Sequence, residues 1–132
     1  MTNKLRNKSI LIIDDDAGMR RALDKVLTGE GAVVTCADCA GSAVEILTGR
    51  QQRIELVITD LRMPFVTGLT ALGAIHEICP ALPVIVLTAF ANPDVRAECL
   101  RQGAAAFLEK PLDTPQLLHT IEGVCPSGAD AN

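Results

Sequence analysis

At 132 residues the chain has room for one ordinary domain, and a core of that size needs neither a disulfide framework nor a structural metal. A net charge of −4, from 16 Asp and Glu against 12 Lys and Arg, argues against direct nucleic-acid binding, which calls for Lys and Arg clustered on one face. Nor does any apolar run approach the roughly 18 residues of a membrane span.

Residues 1–8 read as a loose N-terminal tail, 9–125 as the folded domain, and 126–132, small and polar, as a second loose end. The first apolar run, Ile10–Ile13, is followed at once by Asp14, Asp15 and Asp16. Helical spacing then appears in Met19, Ala22, Leu23, Val26 and Leu27, with Gly31 as the stop. A second run, Ala32–Thr35, precedes Cys36 and Cys39, and a third, Leu56–Thr59, ends in Asp60. The fourth, Val84–Thr88, leads to Asn92-Pro93-Asp94, which offers a helix N-cap, a proline in the first turn and an acid beside the helix dipole. Gly103 marks the end of that helix. The fifth run, Ala105–Leu108, is followed by Lys110, and Thr114-Pro115 repeats the start signal before Leu117, Leu118, Ile121 and Val124.

The runs are rich in Val and Ile and continuous rather than alternating, as strands covered on both faces are. Strands alternating with helices through short connections give a parallel sheet with right-handed crossovers. The expected fold class is therefore α/β, a three-layer (βα)5 sandwich around a doubly wound parallel five-stranded sheet. Ligands of such sheets bind beyond the carboxyl ends of the strands. There the sequence places Asp14, Asp15, Asp60, Thr88 and Lys110.

Carboxylates gathered in one pocket repel, by about 4 kcal/mol for two unit charges about 4 Å apart at an effective dielectric near 20. A cation must offset that. Oxygen ligands with room for a phosphoryl group describe a Mg²⁺ site, since Mg²⁺ keeps waters and takes one or two carboxylates plus phosphate oxygens. With Lys110 opposite, one aspartate can act as a nucleophile toward phosphorus, while the Thr88 hydroxyl and the ammonium await the oxyanions.

The segments Ile-Leu-Ile-Ile-Asp-Asp-Asp at 10–16, Ile-Thr-Asp-Leu-Arg-Met-Pro at 58–64, Leu-Thr-Ala at 87–89 and Glu-Lys-Pro at 109–111 together resemble the receiver domains of two-component signalling, from about Ser9 to Val124. The resemblance implies the flavodoxin-like strand order 2-1-3-4-5. It implies Asp60 as phosphoacceptor, Asp14, Asp15, Asp60 and the backbone carbonyl of Arg62 as Mg²⁺ ligands, and Thr88 and Lys110 as holders of the phosphoryl oxygens. It further implies a sensor histidine kinase or phosphotransfer protein as donor, an effector domain or protein downstream, and a phosphorylation-dependent dimer as one form of output. Thr88 and Phe107 would be the switch pair, the face of helix 4, strand 5 and helix 5 the readout, and Lys110–Pro111 a cis bond. Such a chain is no enzyme in the ordinary sense, since the transfer and the slow hydrolysis happen on itself. Phe107 stands where a tyrosine is frequent, so the switch would lack a hydroxyl. Arg62 and Phe90 flank the site, and their bulk is expected to screen the phosphoryl group from water.

Simpler accounts compete at several positions. Asp16 is expected to cap the helix beginning at Ala17. Phe107 serves equally as a core aromatic. Cys36-Ala-Asp-Cys39 has redox or zinc half-site spacing but no second pair, so core and loop cysteines are the expected account. His76 and His119 have no partner at ligand spacing and are expected at the surface. The five scattered cysteines without a signal peptide point to a reducing compartment, the cytoplasm. Two rival functions share the residues: a receiver-like module that binds partners without phosphorylation, and a haloacid-dehalogenase-type phosphatase using Asp14-x-Asp16, which leaves Asp60 unexplained.

Overall fold

The computed structural model describes residues 4–49, 53–60, 62–63, 66–89 and 91–125. The sheet strands are β1 (Ser9–Ile13), β2 (Val33–Ala37), β3 (Leu56–Thr59), β4 (Val84–Thr88) and β5 (Ala106–Glu109). The helices are α1 (Ala17–Gly29), α2 (Ala40–Thr48), α3 (Gly68–Ile78), α4 (Pro93–Arg101) and α5 (Thr114–Val124). The strands lie parallel in the order β2-β1-β3-β4-β5, as the resemblance implies. A short antiparallel ladder, Arg62–Met63 against Val66–Thr67, follows β3 and was not expected.

Alternate strand residues enter two cores. Leu11, Ile13, Val57, Val84, Val86 and Phe107 face Ala43 of α2, Leu72 and Ile75 of α3 and Cys99 of α4. Ile10, Ile12, Leu56, Ile58, Ile85, Leu87 and Leu108 face Leu23 and Leu27 of α1 and Leu117, Leu118 and Ile121 of α5. Because both faces of β1, β3 and β4 are covered, no position along them can be polar until the strand ends. The edge strand β2 departs from that expectation, with Val33 left 48% exposed.

Helix starts follow side-chain caps. Asp16 Oδ1 accepts the amides of Gly18 and Met19, and Asn92 Oδ1 accepts that of Val95. At α5 the expected cap shifts by one residue: Asp113, not Thr114, accepts the Gln116 amide. Cys39 has an unforeseen use as the cap of α2, its sulfur accepting the Ser42 amide at 3.5 Å.

Gly31 and Gly103 close α1 and α4 with φ of +95° and +103°. In each, the glycine amide reaches back to Thr28 or Leu100, and the next amide to Leu27 or Cys99, the double bond of a Schellman turn. The first turn uses up Ala32, so the strand expected from there begins at Val33; the strand expected from Ala105 begins at Ala106. At Gly103 a Cβ would also stand 2.5 Å from His76 Cε1, while His76 Nδ1 is hydrogen-bonded to the Gln102 carbonyl at 3.1 Å. His76 is thus half-buried against α4 rather than a plain surface residue. Gly103→Ala is expected to cost about 1–2 kcal/mol from the left-handed backbone alone, with a further increment from displacing the imidazole. In urea titrations His76→Ala should remove the second part and leave the first.

The segment before β1 makes contacts of its own. From Lys4 onward it is held: the Leu5 amide donates to Glu30, the Asn7 amide to Gly31, and Leu5 is 1% exposed within the α1/α5 core. Residues 126–132 lie outside the described residues.

Candidate functional site

Three of the expected site residues sit one position beyond a strand, each held by a further rung of the sheet. The Asp14 amide donates to the Ala37 carbonyl at 3.1 Å, the Asp60 amide to Ile13 at 3.1 Å, and the Lys110 amide to Thr88 at 2.9 Å. Thr88 itself ends β4 and is fully buried. Four adjacent strand ends are therefore fixed by backbone hydrogen bonds before any side chain is placed, and the Lys110–Pro111 bond is cis, as the resemblance implies.

The side chains meet there. Lys110 Nζ donates to Asp14 Oδ2 at 3.1 Å and to Asp60 Oδ2 at 2.7 Å. Asp14 is 2% exposed and Asp60 6%. Burial pushes the Asp14 carboxyl above its ordinary 3.8, against the pull of the Asp16 amide and Lys110 and with the push of Asp60. Burial by itself would lower Lys110, yet its hydrogen bonds to Asp60 and Asp14 carry it above 10.5. The two directions have different causes: Asp14 rises because it is buried, Lys110 because two carboxylates surround it. Two carboxylates on one ammonium leave a formal surplus of negative charge in the pocket.

The other expected residues fall in varied places. Asp15 is exposed beside Asp14, where it can meet a hydrated ion. Asp16 is engaged as the α1 cap, as expected. Arg62 opens the short ladder, opposite Thr67; Phe90 lies outside the described residues. Phe107 is 7% exposed in the α2/α3/α4 core, while also lining an open groove of about 430 Å³ with Asn92, Arg96 and Gln116 between α4 and α5. His119 is exposed, as expected.

Among the described residues no group of three His, Cys, Asp or Glu forms a ready metal cage. The oxygens of Asp14 and Asp60, two carboxylates on the single Lys110 ammonium, are the donor type and charge that fit a divalent cation such as Mg²⁺.

Arg20 was missed. Its guanidinium donates to the Asp14 backbone carbonyl at 2.6 Å, bracing the loop that carries Asp14 and Asp15. The available signal was a basic residue near the start of a helix, where the macrodipole disfavours it.

Known proteins share this fold. The family model described as "Response regulator receiver domain" matches residues 10–122. Transcriptional regulatory protein GlrR of Escherichia coli is 33% identical over 92% of this chain, which covers 27% of GlrR. The chain spans about a quarter of the length of the curated transcriptional regulators it matches. A response regulator receiver domain protein from Clostridium thermocellum superposes with a TM-score of 0.83 at 30% identity, over 89% of this chain and 94% of that one. The beryllofluoride-activated NtrC4 receiver domain dimer gives 0.82 at 26% identity, over 89% and 95%. With its fold, its strand-end aspartates and its family match in agreement, this chain belongs to the response regulator receiver domain family.

Proposed function

We propose that Asp60 accepts a phosphoryl group from a sensor histidine kinase or phosphotransfer protein, and that the chain passes the signal to an effector by changing shape. The observation that carries this reading is the Lys110 ammonium joining Asp60 to Asp14 at 2.7 and 3.1 Å across adjacent strand ends.

Asp14, Asp15, Asp60 and the Arg62 carbonyl would hold Mg²⁺, which when bound supplies positive charge to the attacking carboxylate and the phosphoryl oxygens. The Asp60 carboxylate, nearly excluded from water, attacks phosphorus in line with the leaving group. Lys110 exchanges part of its contact with Asp60 for a phosphoryl oxygen. The Thr88 hydroxyl, at the end of β4, donates to another. An aspartyl phosphate adds negative charge and new acceptors at that spot.

Charge-assisted bonds are worth roughly 1.5–3 kcal/mol each, and a full switch from 1:99 to 99:1 takes about 5.5 kcal/mol. Two or three such bonds from Thr88 and Lys110 are about enough, so a partial shift in population is the expectation. Thr88 and Phe107 would relay it to the face of α4, β5 and α5, whose groove Phe107 lines. A phosphorylation-dependent dimer belongs to the same reading, supported by the activated dimer of the NtrC4 relative. The cytoplasm is the proposed location, in keeping with five free cysteines.

The test is intact-mass spectrometry after incubation with acetyl phosphate and Mg²⁺. One labile phosphoryl adduct is expected, absent without Mg²⁺ and absent in Asp60→Ala. No adduct, under conditions that modify another receiver, would leave a partner-binding module that takes no phosphate.

A further inference from the structure

Asp14 is tied down through four separate groups. Its amide donates to the Ala37 carbonyl at 3.1 Å, while Oδ1 accepts the Asp16 amide at 2.9 Å and Oδ2 the Lys110 ammonium at 3.1 Å. The fourth tie comes from a residue that is not among the expected ligands. Arg20 Nη1 donates to the Asp14 backbone carbonyl at 2.6 Å, a short charge-assisted bond. That carbonyl belongs to the peptide plane joining Asp14 to Asp15. With the plane before it held to β2 and this one held to α1, both soft dihedrals of Asp14 are fixed, and with them the direction in which Asp15 leaves the backbone. The first turn of a helix is an unfavourable place for a cation, because the macrodipole is positive there. Arg20 stands in that turn half-buried, whereas its neighbour Arg21 is exposed.

We propose that Arg20 is a positioning residue for divalent-cation binding: through the Asp14 carbonyl it sets how the Asp14 and Asp15 carboxylates stand to one another, and so the Mg²⁺ affinity of the pocket. The inference rests on the Mg²⁺ site proposed above. Two effects of opposite sign meet in this side chain. As a bare charge, a guanidinium near the site repels Mg²⁺, and its removal would tighten binding. As a clamp, its removal loosens binding, since Mg²⁺ demands near-ideal geometry and ligands not held in place must be ordered at each encounter. The clamp prevails. The Arg20 charge is directed at a carbonyl oxygen, and what remains is screened by salt over about 8 Å at physiological ionic strength. Loss of a group that orients metal ligands ordinarily costs about 10–100-fold in affinity.

The experiment is calorimetric titration of the full metal-free chain with MgCl2, wild type beside Arg20→Met and Arg21→Met, each first shown to be folded by far-UV circular dichroism. Arg20→Met is neutral and has no donor, and it is expected to bind Mg²⁺ about tenfold more weakly. Arg21→Met removes the same charge from the exposed neighbour and should bind no more weakly than wild type. With acetyl phosphate, the Mg²⁺ concentration for half-maximal phosphorylation should rise about tenfold in Arg20→Met, while the rate at saturating Mg²⁺ stays at the wild-type value because Asp60, Thr88 and Lys110 are untouched. A merely structural role would lower that maximum and leave the midpoint in place, which overturns the inference. Unchanged or tighter Mg²⁺ binding in folded Arg20→Met, or equal weakening in Arg21→Met, also overturns it and leaves the site reading standing. A wild-type chain that binds no Mg²⁺ overturns the site reading and the inference together. Should Arg20→Met not fold, Arg20→Gln, too short to keep the bond, is read by the same criteria.

Discussion

Lys110→Ala is expected to lower the stability of the chain by about 3–5 kcal/mol in metal-free buffer, the range for removing one partner from a buried ion pair. Lys110 is the cation bonded to both Asp14 and Asp60, and the three side chains are only 14%, 3% and 8% exposed. Without it two buried carboxylates face each other. The pH dependence identifies the cause. Lys110 is raised above 10.5, so its contribution is fully present below that ordinary value and is lost only as pH rises through the higher folded value. Wild type and variant should therefore differ by a constant amount at neutral to mildly basic pH, and converge at higher pH. On the acid side the deficit should also shrink, because a proton on Asp14, already raised above 3.8, takes over the neutralising role. Mg²⁺ should restore more stability to the variant than it adds to wild type. With no Trp or Tyr in the chain, far-UV circular dichroism in denaturant is the suitable measurement. A loss of under about 1 kcal/mol, the scale of an exposed pair, would show that the ion pairs carry little.

The difference between what the sequence disclosed and what it hid is a difference between local and distant causes. Continuous Val and Ile runs disclosed β1, β3 and β4, since only strands covered on both faces lose alternation. Asp14, Asp60, Thr88 and Lys110 were legible because a parallel sheet brings strand ends together whatever the loops do, so position along the chain translates into position in space. Asp16, Asn92, Gly31 and Gly103 were legible because caps act within a few residues. The shift from Thr114 to Asp113 shows the limit: two good capping residues stand side by side, and only the path of the chain after Pro111 chooses between them. Arg20 on the Asp14 carbonyl, His76 on the α4 terminus and Cys125 beside Lys8 depend on side chains meeting across elements, for which spacing along the chain carries no signal.

The N-terminus is where that limit has the clearest energetic consequence. Leu5→Ala is expected to destabilise the chain by about 2–3 kcal/mol, toward the lower part of the range for a buried leucine because a site near a chain end can partly collapse. A single leucine among Lys4, Arg6, Asn7 and Lys8 shows no period and looks like linker. Yet the Schellman turn at Gly31 leaves the Glu30 and Gly31 carbonyls facing the incoming chain, and the amides of Leu5 and Asn7 take them at 3.0 and 2.9 Å. Asn7, at φ +62°, then turns the chain into β1, and Leu5 drops into the core beside α1 and α5. Arg6→Ala, at an exposed neighbouring position, should stay within about 0.5 kcal/mol of wild type. The paired result, read as a lower denaturant midpoint at unchanged slope for Leu5→Ala only, would move the start of the folded unit from Ser9 back to Lys4. Equal midpoints for the two variants would return residues 4–8 to the status of a tail.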